Sequence, residues 1–441
     1  MTAERKIFES GLIRESYILR TLPSGLRICF FPRKSVTVGA AMVVDAGAFD
    51  TCFRLAGEAE ARKLPAGCAH YLEHVMFALP DGRDALEAFA GYGASANAYT
   101  AAETTTYYFS CTDSGEPFWE SLSLLLSLMA RPAFTEKTIE KERPIIAEEI
   151  SMCRDEPGDV LWETAMQALY REHPAREPVC GTKASLAEIS LSVLNRFLNA
   201  FYQPENMILV VEGEIDEEQT LALCREYFPD DCKKTAVERV LPREEPSPAE
   251  RFSRTETDTA LPLAAVCFKD TSISSDPAER MKKCETVSLL SDLLFSGTSH
   301  FYNELYDDGI IDGRFSVEYE HSRAVSYFIV NAETPEPEEF VRRVKSYIAE
   351  RQQLHDISEE AFQRCRRVMY ASSVYGFESP GGSMPTDCAN IAFDGGELFR
   401  QIDIMMQIER KDLFALLDTY FSEDNCAVSV VYPIDRQEQK G

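Results

Sequence analysis

Five consecutive residues, His70-Tyr71-Leu72-Glu73-His74, concentrate the chemistry of this chain. They hold two of its six histidines inside the otherwise apolar run HYLEHVMFALP, residues 70–80. On a helix, residues four apart share a face, so His70 and His74 converge on one point and Glu73 sits close beside them. Leu72, Val75, Met76 and Phe77 predict that the helix is largely buried. Burying three polar groups without a shared partner is costly. A single histidine on an apolar face is more often a satisfied core residue; a pair at this spacing with a glutamate between them points to a metal. A hydrolytic zinc site has three protein ligands and an open position, and a nearby carboxylate takes the proton of the activated water.

The third ligand must come from another element. The segment TEKTIEKERPIIAEEISMC, residues 135–153, offers Glu142, Glu148 and Glu149. At about 100° per residue, the helical face of Glu149 also carries Thr138, Glu142, Ile145, Ile146, Met152 and Cys153. That face is largely apolar and is expected to turn inward, whereas Glu148 points with Lys141 and Asp155 towards solvent. Glu149 is therefore the better ligand, with Glu142 two turns before it. Pro144 is expected to bend this helix.

Composition sets the frame for these elements. A chain of 441 residues predicts two or more domains, and 45% hydrophobic with 27% charged residues reads as globular. Seventy-three acidic against 45 basic residues, a net charge of −28, argue against a nucleic-acid partner and point to basic peptides rather than phosphates. No run approaches the roughly 18 apolar residues of a membrane helix, SLSLLLSLMA at 121–130 being too short, so no membrane partner is expected. The start, MTAERKIFESGLIRES, has no apolar signal core. Thirteen cysteines, with no CxxC pair, predict free thiols and a cytoplasmic location.

The proline-rich, charged stretch at 229–257 reads as a linker. It suggests domains at 1–230 and 258–441, joined by 231–257. A weak internal repeat agrees. YQPENMILVV (202–211) matches FSEDNCAVSVV (421–431), with Asn206 on Asn425 at an offset of 219; TTYYFSC (105–111) matches VSYFIVN (325–331) at the same offset; LEHVMFAL (72–79) matches LSDLLFSG (290–297) at 218. Strands linked as hairpins and followed by runs of helices predict an α+β fold with a mainly antiparallel sheet in each half.

HYLEH is the H-x-x-E-H pattern of inverzincins. With ERPIIAEEI about seventy-five residues on, GASANAYT, YQPENMILVVEG and a duplicated half, the whole chain resembles the pitrilysin/insulinase family of zinc peptidases. GCAHYLEHVMF and LFSGTSHFYNELYDDGIIDGRFSVEYE are similar to a bacterial insulinase-like subgroup whose members often occur as pairs, one keeping the zinc motif and one lacking it. The resemblance implies two homologous domains forming a clamshell, with Zn2+ held by His70, His74 and Glu149. It makes Glu73 the base that activates the zinc-bound water and later protonates the leaving amine, and Glu142 a carboxylate that tunes the site. SANAYT becomes the edge strand on which an extended peptide lies, contacted at Asn97 and Ala98.

At an offset of 218, His70, Glu73 and His74 fall on Ser288, Ser291 and Asp292, so one metal site per chain is expected. Family members place an Arg and a later Tyr from the second half against the scissile carbonyl. Here Tyr306 occupies the Arg position, and the Tyr position falls near Gly313 to Phe315, with Arg314 and Tyr319 close by. The expected function is a zinc endopeptidase that cleaves short unstructured peptides in an enclosed chamber. The alternative is a metal-retaining binding or assembly subunit, active only with a motif-lacking paralogous partner; a homodimer or a heterodimer with an inactive paralogue is the assembly expected.

Overall fold

The computed structural model describes residues 4–232, 235–378 and 384–434. Its first elements are β1 (Glu4–Ser10), β2 (Glu15–Thr21), β3 (Arg27–Phe31), β4 (Val38–Val44), β5 (Cys52–Leu55), β6 (Arg62–Lys63), α1 (Cys68–Met76), α2 (Ala85–Gly91), β7 (Ser95–Thr100) and β8 (Thr105–Cys111). Next come α3 (Glu116–Ala130), α4 (Glu136–Asp155), α5 (Pro157–Leu169), α6 (Lys183–Glu188), α7 (Leu191–Phe201), β9 (Met207–Glu212), α8 (Glu217–Tyr227) and β10 (Val237–Arg239). The chain continues through β11 (Phe252–Thr257), β12 (Leu263–Lys269), α9 (Pro277–Phe295), α10 (His300–Asp307), β13 (Phe315–His321) and β14 (Ser326–Glu333). It ends with α11 (Pro337–Leu354), α12 (Glu359–Glu378), α13 (Met384–Phe393), α14 (Leu398–Gln407), α15 (Arg410–Tyr420) and β15 (Cys426–Pro433).

Two compact units emerge, neither of them one continuous stretch. The first comprises Met1–Ile150, Pro178–Val240 and Val374–Phe399; the second comprises Ser151–Glu177, Leu241–Ser373 and Arg400–Gly441. Compared with a division at the linker, two segments change places. Helix α5 packs on β11, β12 and β15 in the second unit, and α13 packs on β4 and β9 in the first. The linker itself supplies β10, antiparallel to β5, and β11, parallel to β15. Between them, Leu241 to Arg251 form no helix or strand, as the prolines require.

The main sheet of the first unit runs β1-β2-β3-β9-β4-β8-β7, and that of the second runs β11-β15-β12-β14-β13. Each is antiparallel except at one pair, β3 with β9 and β11 with β15. The orders coincide once the β1–β2 hairpin is set aside, so β3, β9, β4, β8 and β7 correspond to β11, β15, β12, β14 and β13. Equivalent asparagines do the same work in both. Asn206 Nδ2 donates to the carbonyls of Asp45 and Phe201, both at 2.9 Å, and Asn425 Nδ2 donates to those of Lys269 and Tyr420, both at 2.8 Å. The repeat inferred from an offset of 219 is thus a repeat of topology and of hydrogen bonding.

The central strands are apolar runs because they are buried on both faces: every residue of β4 (VGAAMVV) is buried, as are Met207 to Val211 of β9. At the edge, β7 alternates more, with Asn97 and Tyr99 exposed and Ala98 buried. Among the described residues no helix is long and apolar enough to cross a membrane.

Candidate metal centre

Helix α1 starts from Gly67, whose φ of 86° is left-handed and whose absent Cβ would lie 2.6 Å from the Cys180 carbonyl oxygen. Only glycine fits this close approach without strain. From there the helix is buried on nearly every side, and His70 and Glu73 are 8% and 9% exposed. Its apolar residues pack against α7, β7 and β8, which fixes where the three polar side chains emerge.

The third carboxylate is brought in by α4. The Tyr71 hydroxyl donates to the Ile139 carbonyl at 2.6 Å, tying α1 to α4. On the same helix, the Arg143 guanidinium lies 5.8 Å from the centre of the Tyr71 ring and donates to the Ile189 carbonyl at 3.0 Å. Glu149 then reaches both histidines: its Oε1 is 3.3 Å from His70 Nε2 and its Oε2 is 3.4 Å from His74 Nε2. The two imidazole rings are 4.7 Å apart, centre to centre. His74 Nδ1 lies 3.8 Å from Glu142 Oε2. Glu142 therefore meets the ring nitrogen of His74 that points away from Glu149, whereas the buried His70 Nδ1 has no hydrogen-bond partner among the described residues.

One expectation about α4 is corrected. The helix is continuous over its 20 residues, with Pro144 inside it. Its Glu149 face meets the core only along one border, at Ile146, which is fully buried, whereas Ile145 and Met152 are 50% and 65% exposed. The core stripe is Ile139, Ile146 and Ile150, and Glu142 and Glu149 occupy the adjoining, more open side. The apolar residues of α4 extend over more than one side, and the buried side is turned from the expected face, sharing only Ile146 with it. Glu149 is still the carboxylate that faces the histidines.

His70, His74 and Glu149 are the one group of three metal-ligating side chains found among the described residues, with donor atoms all within 4.8 Å of one another. Tetrahedral zinc with bonds of about 2.0–2.1 Å separates its ligand atoms by roughly 3.3–3.4 Å. The histidine–carboxylate separations match that spacing. Charge agrees with the geometry. Hydrogen bonds from His70 and His74 hold the Glu149 carboxyl far below the usual carboxylate range, so it is ionised and ready to bind a cation. Burial pulls the His74 imidazole down, but Glu149, Glu73 and Glu142 outweigh it and raise it on balance. The residues present fit a divalent metal of the zinc type.

Glu73 stands beside this group. Its Oε2 accepts a 2.6 Å hydrogen bond from the Thr100 hydroxyl at the end of β7. Nearby, the buried Tyr107 and Tyr202 hydroxyls pair at 2.8 Å, and burial raises both phenols, with the Glu73 charge adding to the effect. Reasoning from sequence missed Thr100; its place as the last residue of SANAYT was the available signal. Asn97 and Ala98 lie on the same strand, where Asn97 Oδ1 accepts from the Ala98 N–H at 2.9 Å. The outer edge of β7 has no partner strand among the described residues.

In the second unit, Ser288, Ser291 and Asp292 lie on α9, and Ser291 and Asp292 line a cavity of about 360 Å3 with Phe315, Ser316 and Val317 of β13. Arg314 is paired with Glu333, Tyr319 hydrogen-bonds to Ser288, and Tyr306 is 53% exposed.

Residues 34–183 match the model of the insulinase family, peptidase family M16, and residues 188–369 match the M16 inactive domain. The chain is 29% identical over 434 residues to the uncharacterized zinc protease YmfH of Bacillus subtilis (strain 168), covering 97% of this chain and 99% of that one. It is 34% identical over 227 residues to the uncharacterized zinc protease ML0855 of Mycobacterium leprae (strain TN), covering 50% of this chain and 48% of the relative. A crystal structure of an M16-like peptidase from Alicyclobacillus acidocaldarius superposes with a TM-score of 0.87 at 29% identity, over 98% of this chain and 99% of that one. Pitrilysin shares the fold, with a TM-score of 0.75 at 16% identity, over 98% of this chain and 46% of its own. With both of its sequence halves matched by models of one family, the chain belongs to peptidase family M16, the insulinase and pitrilysin peptidases.

Proposed function

We propose that this chain is a zinc-dependent endopeptidase acting on short, unstructured peptides. The observation that carries the reading is the convergence of His70, His74 and Glu149 with a carboxylate, Glu73, beside them. A zinc ion held by those three side chains would lower the pKa of a water molecule and polarise the scissile carbonyl.

The remaining work falls to the protein's own groups. Glu73 accepts the proton of the attacking water and returns it to the nitrogen of the departing amine. Glu142, behind His74, holds that imidazole in orientation. A peptide docks as an added strand on the open edge of β7, exchanging main-chain hydrogen bonds with it. There the Ala98 N–H, covered by the Asn97 carboxamide, is the donor a substrate carbonyl takes over. The reading includes the enclosure expected of the family, so unstructured peptides are cut and folded proteins are spared.

Metal analysis of the purified protein should find about one zinc per chain, as three ligands with an open position require. Glu73→Gln should keep the metal and abolish cleavage of a peptide library. Retained zinc with no cleavage by either form would sink the peptidase reading.

A second reading has its own support in the second unit. Arg314 is held by Glu333 and Tyr319 by Ser288, so both candidates for stabilising the transition state are engaged within that unit. On this reading the chain is a binding or assembly subunit that turns over only when paired with a relative lacking the zinc motif. Activity that appears only on mixing the two chains would favour it.

A further inference from the structure

Thr100 joins two parts of the site that the sequence keeps 27 residues apart. It is the last residue of β7, the open-edged strand, and its hydroxyl donates to Glu73 Oε2 at 2.6 Å. This is the length of a charge-assisted O–H···O− bond, among the strong ones.

The position of Thr100 is set from several sides. It pairs with Thr105 across the β7–β8 hairpin. The turn that follows is closed by Ala101 N–H donating to the Thr104 carbonyl at 2.8 Å. The carbonyls of Ala101 and Ala102 accept from Ala48 and Phe49 at 3.0 and 2.8 Å. A side chain at Gly47 would collide with this turn, its Cβ lying 2.5 Å from the Ala101 oxygen. Across the gap, Glu73 is carried by the buried helix α1, which packs on β7. A hydroxyl held this firmly selects one orientation of the carboxylate. The bond takes one lone pair of Oε2 and leaves the other lone pairs of the carboxylate for proton transfer.

We propose that Thr100 is a positioning residue that couples the orientation of the general base Glu73 to the peptide-docking strand β7. The proposal rests on the peptidase reading for its chemistry. The strand that receives the peptide is also the strand that aims the base, so docking and proton transfer share one rigid part. Misplacing a catalytic group by an ångström forfeits much of its effect even when binding is intact.

The test compares Thr100→Val, which keeps shape and removes the hydroxyl, with Thr100→Ser, which restores it. Both variants should hold wild-type zinc and melt as the parent does. For Thr100→Val, kcat should fall by about tenfold or more while KM stays within about twofold, since general-base catalysis contributes roughly 10²–10⁴. Thr100→Ser should recover kcat to within about threefold. Crystal structures of the three proteins give a readout independent of turnover. Glu73 should keep one carboxylate orientation in the parent and in Thr100→Ser, and should rotate or split in Thr100→Val.

Wild-type kcat in Thr100→Val, equal loss in both variants, or an unmoved Glu73 carboxylate overturns the proposal. If the parent protein cuts no peptide, the peptidase reading fails separately, and the Glu73 orientation still decides whether Thr100 positions it.

Discussion

Acidification should unfold the second unit through two buried, uncharged histidines. His173 and His321 are 2% and 6% exposed. Burial, the largest cause for each, pulls both imidazoles from 6.5 down to about 4; Lys269 adds to this at His173, and Lys283 and Arg280 at His321, while Glu244 and Asp270 oppose it. Their hydrogen bonds fit neutral rings. His173 Nδ1 accepts from the Ala175 N–H at 3.0 Å, so it carries no proton, and His321 Nδ1 lies 2.7 Å from the Ser326 hydroxyl. Because the folded values are depressed, the unfolded chain takes up protons first as pH falls through 6.5. The stabilisation is complete above that value and is lost progressively down to about pH 4. A tenfold change in proton affinity is worth about 1.36 kcal/mol, so each histidine costs on the order of 3 kcal/mol across the window. That is a large share of a typical total of about 5–15 kcal/mol.

The assay is urea unfolding between about pH 7.5 and 4.5, followed by tryptophan fluorescence. The chain has two tryptophans, and Trp162 sits against Tyr327 in the second unit. A Trp119→Phe background therefore makes Trp162 the reporter of that unit. Carboxylates titrate too, so the decisive quantity is the difference from a His173→Asn/His321→Asn protein, in which the amides keep polar partners without the proton site. The double variant should lose far less stability than its parent between pH 6.5 and the acid end. An equal loss in both proteins refutes the reasoning.

Glu142→Gln should leave the fold intact and weaken zinc about 10–100-fold, the usual effect of losing a carboxylate behind a ligand histidine. Titration against a competing chelator measures this, and unchanged affinity would remove Glu142 from the site. Asn206→Ala and Asn425→Ala each delete two hydrogen bonds to main-chain carbonyls and should cost a similar amount, about 1–3 kcal/mol each in urea unfolding. If one proves silent, the two asparagines are equivalent in sequence alone.

What could be read before folding was whatever is encoded by short-range periodicity or by repetition. His70 and His74 lie one helical turn apart, so their convergence follows from helix geometry within five residues. Asn206 and Asn425 precede matching apolar strands, so the duplicated topology was visible as an offset. The long-range pairings were a different matter. Nothing in the local pattern of α4 says which of its apolar residues meet the core; that was decided by the packing of Ile139, Ile146 and Ile150 and by the tie from Tyr71 to Ile139. The exchange of α5 and α13 between units depends on which sheet face accepts each apolar stripe, a choice made only when the sheets exist. The bond from Thr100 to Glu73 spans the end of α1, the whole of α2 and strand β7, and no periodicity links such positions. The sequence by itself determined the histidine pair and the helix that carries it. Tertiary structure decided which distant carboxylate faces the pair and which hydroxyl bonds to Glu73, because those contacts arise only when separate elements pack together.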